Sequence, residues 1–408
     1  MEVGNIILLG NISKYTVDIR KLLYIYFSMS FANRIGEFGV LFFLWFCIDS
    51  AKIIGVLILL DSIVSISSGL IYAKISRLME KSKIVKLSYV MRITTYTCFF
   101  IFFSSGSSAY WILGLIMIIH SLSDAFLDPI IYSTVSQIAK KEEYIGVNSI
   151  ISLIDNISLF ISPLLGSLLI SINSGGNSYL FIVVLLVLCI GLINILKWKN
   201  FIPHQYDSLN RNVFLKNMID LFKNKTILFL MGAFLIFNFT MIPLLNILYP
   251  AIIVHEKNLS ATTLAFYEVT FSLGLIILSV SQIFAKTGVN KSKFFIVFSF
   301  LLCSIGMLLI GLSQDLIIGA IGSLVIGCSL SLLRIHNNSF FQSTIPIEKQ
   351  SDFFAIRGVI LNSVSPFSIA GISMAIAILG PQFVIVIISI ILFILGLLLF
   401  ISFKINID

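Results

Sequence analysis

Residues 383–403 read FVIVIISIILFILGLLLFISF, a stretch of twenty-one positions without a charge or a proline. At 1.5 Å per residue a helix of that length crosses a hydrocarbon core of about 30 Å. The run has no polar face to offer water, and it lacks the ~10-residue alternation of a β-barrel strand. Eleven further apolar runs precede it, at approximately 22–48, 53–75, 84–105, 109–138, 144–172, 178–197, 226–254, 261–285, 294–313, 316–345 and 353–379. The pattern predicts an all-α membrane protein of twelve transmembrane helices.

Composition points the same way. Hydrophobic residues make up 58% of the 408 positions and charged residues 11%, with 36 Phe; the mean hydropathy is +1.05. A water-facing surface needs roughly a quarter of the chain charged. The net charge of +8 comes from scattered basic residues, without the aromatic-flanked patch that binds nucleic acid. Cys47, Cys98, Cys189, Cys303 and Cys328 each fall inside an apolar run, with no spacing for a metal or a disulfide framework, and read as small core hydrophobes. Residues 1–20 show no cleavage site, so the chain is expected to begin at or near Met1.

The basic residues orient the spans. With the amino terminus in the cytoplasm, twenty-one Lys and Arg fall on the inside, two (Lys52 and Lys257) on the outside, and four arginines within spans. The positive-inside rule then predicts both termini in the cytoplasm. The longest break, 199–225, divides the chain into six-helix bundles at 1–198 and 226–408. Within it Phe214, Met218 and Leu221 recur at helical spacing beside Lys216, Lys223 and Lys225, which predicts a short amphipathic helix on the cytoplasmic membrane surface.

The halves repeat. The fourth span ends in Ser133–Gln137 (STVSQ) and the tenth in Asn338–Gln342 (NSFFQ). The fifth carries Ser162, Pro163 and Gly166, and the eleventh Ser365, Pro366 and Gly371, at offsets of 203 to 205 residues. Six-plus-six repeats place a substrate site between the halves near the midplane in many secondary carriers.

On these features, with Phe126-Leu-Asp-Pro129, Asn148-Ser149, Pro346 and Glu348, the chain resembles the major facilitator superfamily, and within it the macrolide-efflux and enterobactin-exporter branch. The resemblance implies the major facilitator fold in a bacterial cytoplasmic membrane and export of a small molecule by alternating access with proton antiport, acting as a monomer among lipid, without a cofactor or metal. It makes Gly69, Arg77, Pro163, Gly166, Pro366 and Gly371 a conformational motif. Two positions depart from the pattern: Ala73 stands where an Asp is expected after Gly69, and His120 and Asp124 occupy the region of an expected arginine.

Charges inside spans are costly and mark function or pairing. Arg34 and Glu37 lie three apart on one helix face, and Asp124 and Asp128 four apart on another. With Asp61, Asp155, Glu268, Arg334, His336 and Asn337 they make the candidate substrate and proton cavity. Arg92 and Arg357 read as snorkelling residues near the ends of their spans. No hydrolase, metalloprotease or phosphate-loop motif occurs, so an enzyme is not indicated. An importer and a non-transporting membrane sensor or accessory subunit remain the alternatives.

Overall fold

At Gly380 the backbone takes φ +80°, a conformation that glycine adopts without steric cost. Pro381 follows as the first residue of the next helix, where its fixed φ fits and its missing N–H loses nothing. Two residues thus end one long helix and begin another. Elsewhere side chains cap the starts: Asn224 Oδ1 accepts from the N–H groups of Thr226 and Ile227, and Asp315 Oδ1 from those of Ile317 and Ile318.

The computed structural model describes residues 15–47, 57, 60–61, 63–68, 71–72, 75–76, 79–107, 109–124, 126–171, 179–197, 223–249, 251–252, 261–285, 288–313 and 315–405. Among these the long elements are α1 (Val17–Cys47), α2 (Lys81–Ser104), α3 (Tyr110–Asp124), α4 (Leu127–Ile138), α5 (Tyr144–Ser171), α6 (Tyr179–Lys197), α7 (Lys225–Pro243), α8 (Ala261–Phe284), α9 (Ser292–Leu312), α10 (Leu316–Thr344), α11 (Ile347–Leu379) and α12 (Pro381–Ile405). Helical turns also lie between 57 and 76, so helix falls on every one of the twelve apolar runs. Among the described residues, nine helices are long and apolar enough to cross a membrane. Gly69 and Arg77 of the expected motif, and the 199–222 part of the central loop, lie outside the described residues.

The outer surfaces are as apolar as the interior. On α9, Phe294, Phe298, Ile305 and Leu312 are exposed while Val297, Phe300, Cys303 and Met307 are buried. A helix with two apolar faces has lipid as its solvent. Inside, α9 and α10 approach at glycine: a Cβ on Gly306 would stand 2.7 Å from the carbonyl oxygen of Gly322. Such backbone approach supplies packing where lipid provides no hydrophobic drive between helices. Of the cysteines, Cys303 is buried but Cys189 is exposed, so the shared core role fails for the latter.

In the fourth span α3 ends at Asp124 and α4 starts at Leu127, with Phe126 in a turn and Pro129, which has no N–H to give, in the first turn of α4. Pro243 is the last residue of α7, and five residues, Leu244–Leu248, follow it as a π-helical turn.

The chain forms two compact units that cut across the sequence halves. Unit 1 comprises Met1–Lys140, Ile157–Phe214 and Pro346–Val359, and unit 2 comprises Lys141–Asn156, Leu215–Ile345 and Ile360–Asp408. The first part of α11 therefore belongs to unit 1 and the first part of α5 to unit 2. The crossing points, Ile157 and Ile360, are 203 positions apart, the same offset that relates the two Ser-Pro pairs. Within unit 1, Ser351 on α11 shares a hydrogen bond with Tyr72 at 3.0 Å, Ser136 donates to Gln350, and Phe354 lies 5.4 Å from Tyr132 between ring centroids. Within unit 2, Asn148 on α5 donates to Ser339 at 3.0 Å and to Gln342 at 2.6 Å, while Asn156 donates to Ser279 at 3.1 Å.

Candidate functional site

Three helices of unit 1 bring polar side chains together at mid-span. From α1, Asn33 and Glu37 are one turn apart, and Asn33 Nδ2 donates to Glu37 Oε1 at 2.7 Å. The same nitrogen donates to Asp124 Oδ1 on α3 at 3.1 Å. From α2, Arg92 Nη2 donates to Asp124 Oδ1 at 2.5 Å. Tyr96, one turn on from Arg92, donates its hydroxyl to Asn33 Oδ1 at 3.2 Å and lies 3.2 Å from His120 Nε2. The tyrosine gets there because α1 has glycine opposite it: a Cβ on Gly36 would run into the Tyr96 ring. Arg34 closes the network on Glu37 at 3.2 Å.

The cluster holds two guanidiniums and two carboxylates, so its formal charge balances. That balance matters in a low-dielectric span, where an unpaired charge is several kcal/mol more costly than a paired one. The charges differ in exposure. Arg92 is fully enclosed, with Nε and Nη1 lacking partners, whereas the Asp124 side chain is 45% exposed. Arg34 and Glu37 are half-buried. Asp61 stands beside the cluster, where Ser121 donates to it from α3.

Unit 2 holds a smaller set. Arg334 on α10 pairs with Asp155 on α5 at 3.6 Å. Ser152, Ser279 and Ser331 form a hydrogen-bonded chain beside it. His336 is turned the other way and is wholly buried, 3.2 Å from Gln282 and from Ser292, with its ring stacked on Phe295 at 4.4 Å. Asn337 is buried with both amide atoms unpartnered.

Of the expected cavity residues, the structure unites Arg34, Glu37 and Asp124 with Asp61 alongside, and separately pairs Asp155 with Arg334. It does not unite Asp124 with Asp128. Asp128 is exposed in the first turn of α4, where a carboxylate meets the positive end of a helix dipole. Glu268 is exposed on α8. His336 does not share a face with Arg334. Pro366 and Gly371 are exposed on α11, and a Cβ on Gly371 would meet only Phe239, at 3.7 Å. The backbone of Pro163 and Gly166 is helical within α5, but their side-chain surroundings lie outside what is described.

Arg92 and Arg357 correct the snorkelling expectation. Arg92 is 0% exposed and paired, and Arg357 is buried with its guanidinium 5.5 Å from the centroid of the Phe354 ring. The sequence carried a signal for Arg92: it lies eleven residues inside α2, about 16 Å of helix rise, which is beyond the reach of a side chain to the boundary. Asn33 and Tyr96 carried none, being neutral residues of common type.

The Major Facilitator Superfamily model matches residues 26–369. No curated protein sequence matches the chain. Among solved structures, a bacterial homologue of the iron transporter ferroportin in its outward-facing state superposes with a TM-score of 0.79 at 14% identity, over 95% of this chain and 100% of that one. The human organic anion transporter MFSD10 gives 0.73 at 12% identity, over 93% and 99%. The fucose:proton symporter FucP of E. coli gives 0.71 at 12% identity, over 94% and 99%.

Proposed function

Because this chain belongs to the Major Facilitator Superfamily, we propose that it is a secondary active transporter that exports a small molecule from a bacterial cytoplasm, by alternating access and in exchange for protons. The observation that carries the coupling is the Arg92–Asp124 pair with Glu37 joined to it through Asn33. A proton on Asp124 would leave the enclosed Arg92 without a counter-charge. At an effective dielectric constant of about 20, two unit charges ~4 Å apart interact by ~4 kcal/mol. That energy is available to favour an arrangement in which the guanidinium turns to Glu37 or to substrate. Proton occupancy and conformation are then linked, because each biases the other by the same free energy. On this reading the exposed carboxylate of Asp124 exchanges protons, Arg92 senses the exchange, and Asn33 holds the second carboxylate within reach. Arg334 and Asp155 of unit 2 are an ion pair available to a charged substrate.

Proton-driven uptake is the second reading, favoured by the likeness to a structure named as a fucose:proton symporter. Inside-out vesicles separate the two. After respiration acidifies the lumen, adding an exported substrate should release luminal protons, read by a fluorescent pH dye. A panel of antibiotics and siderophore-like metabolites supplies the candidates. Asp124→Asn, Asp128→Asn or Glu37→Gln, at least one of them, should abolish uphill movement and keep downhill exchange. If all three variants concentrate substrate and an uncoupler has no effect, protons do not drive transport.

A further inference from the structure

Lys81 is the first residue of α2 and is only 8% exposed. Its ammonium donates to Ser133 Oγ on α4 at 2.9 Å. Among the described residues no carboxylate pairs with it, and the adjacent Glu80 lies 3.6 Å from Lys83 instead. An ammonium carries three N–H donors and a full charge, so a single hydroxyl leaves most of both unanswered. The amino-terminal end of α2 adds positive partial charge here, since its cap residue Glu80 makes no side-chain bond to it.

The surroundings of Ser133 are unsatisfied as well. Among the described residues Thr134 Oγ1 and both amide atoms of Gln137 are enclosed without a partner. Gln137 is one turn beyond Ser133 on the same face of α4. Such atoms are few in native proteins, and each calls for a reason. The internal repeat supplies one. In unit 2 the corresponding Gln342 accepts from Asn148. The position matching Asn148 in unit 1 is Ser351, whose shorter side chain bonds Tyr72, while Gln350 takes Ser136. The first-half copy thus lacks the amide-to-amide bond of the second half, and it has a lysine bonded to Ser133, one turn before that amide.

We propose that Lys81, Ser133, Thr134 and Gln137 form an anion-binding site in unit 1 that takes a single negative charge, carried by a free halide such as chloride or by the phosphodiester of a lipid headgroup. The ammonium supplies the counter-charge, the Gln137 amide and the Thr134 hydroxyl supply donors, and Ser133, which already donates to the Ile130 carbonyl, positions the ammonium. The site is separate from the Arg92–Asp124 cluster, and it does not depend on the direction or ion of transport.

The test is thermal unfolding of the full chain in neutral detergent. In one arm gluconate is replaced stepwise by chloride at constant ionic strength. In the other, gluconate is kept and the protein is moved from neutral lipid to phosphatidylglycerol. One arm should raise the unfolding temperature saturably by about 2 °C or more, and which arm responds identifies the source. Lys81→Met should lose the response and unfold at a higher temperature than wild type in the gluconate buffer with neutral lipid. Lys81→Arg should keep the response, and Lys293→Met, a change at a lysine outside the site, should leave it intact. If Lys81→Met yields no folded protein, Gln137→Leu carries the test with a weakened response. A wild type indifferent to both arms, or a Lys81→Met or Gln137→Leu variant that responds as fully as wild type, overturns the site.

Discussion

The exposure difference across the Arg92–Asp124 pair makes an asymmetric prediction. Asp124→Ala strands a guanidinium that is 0% exposed and already has two nitrogens without partners. Removing one member of a buried pair costs about 3–5 kcal/mol, because the charge left behind has neither water nor a partner. Arg92→Met instead leaves a carboxylate that is 45% exposed and still accepts from Asn33 at 3.1 Å. With that bond kept and its surroundings open, the loss should be nearer 1–2 kcal/mol. The double variant removes both charges together and should lie within about 1 kcal/mol of wild type, since a buried pair is often neutral against an apolar replacement. Equilibrium unfolding in mixed micelles of rising SDS fraction, followed by intrinsic fluorescence, measures all four corners of the cycle. The reasoning is refuted if Arg92→Met is as costly as Asp124→Ala, or if the double variant loses the sum of the single losses.

Three further outcomes follow from the same structure. Gly306→Val should prevent α9 and α10 from closing, since the added Cβ would sit 2.7 Å from a backbone oxygen; folded yield after detergent extraction should collapse, while Gly232→Ala, with nothing within 4 Å, should express normally. Asn148→Leu should destabilise unit 2 by about 1–3 kcal/mol, because the buried Gln342 oxygen loses the donor it has at 2.6 Å; thermal unfolding reads it, and an unchanged midpoint would remove this bond from the account. In a cysteine-free background, Gln205→Cys and Asn406→Cys should resist an impermeant thiol reagent applied from outside, and strong labelling would reverse the proposed cytoplasmic placement of both sites.

The fold was legible because lipid imposes a length. Runs such as 383–403 have one use in a helix-forming chain, and helix falls on all twelve of them. The ion pair of Arg34 and Glu37 was legible for a similar reason, since residues three apart on a helix must meet. Partners from different helices were not. Nothing local to Arg92 announces Asp124, thirty-two residues later, and the three-way role of Asn33 depends on how α1, α2 and α3 pack. The spacing of Asp124 and Asp128 puts both on one face of an unbroken helix, and the turn at Phe126 falls between them. Pro129 stood in the sequence as the warning. Arg334 and His336 diverge because two residues rotate a helix by more than half a turn.

The crossing of α5 and α11 between units bears on how the chain is made. Unit 2 begins with Lys141–Asn156, yet the α10 groups that hold that segment, Ser339 and Gln342, are synthesised some two hundred residues later. Unit 1 in turn waits for Pro346–Val359. Neither unit can reach its final packing on the ribosome before α11 emerges, and Asn148, Ser152 and Asn156 wait through some 120 to 190 further residues of synthesis for their partners on α8 and α10. Polar side chains kept waiting in a nascent helix find provisional partners, including water at the membrane boundary. Severing the chain in the 199–225 loop should therefore give two fragments that are each incomplete in the same way, and whose stable accumulation in a cell requires the other.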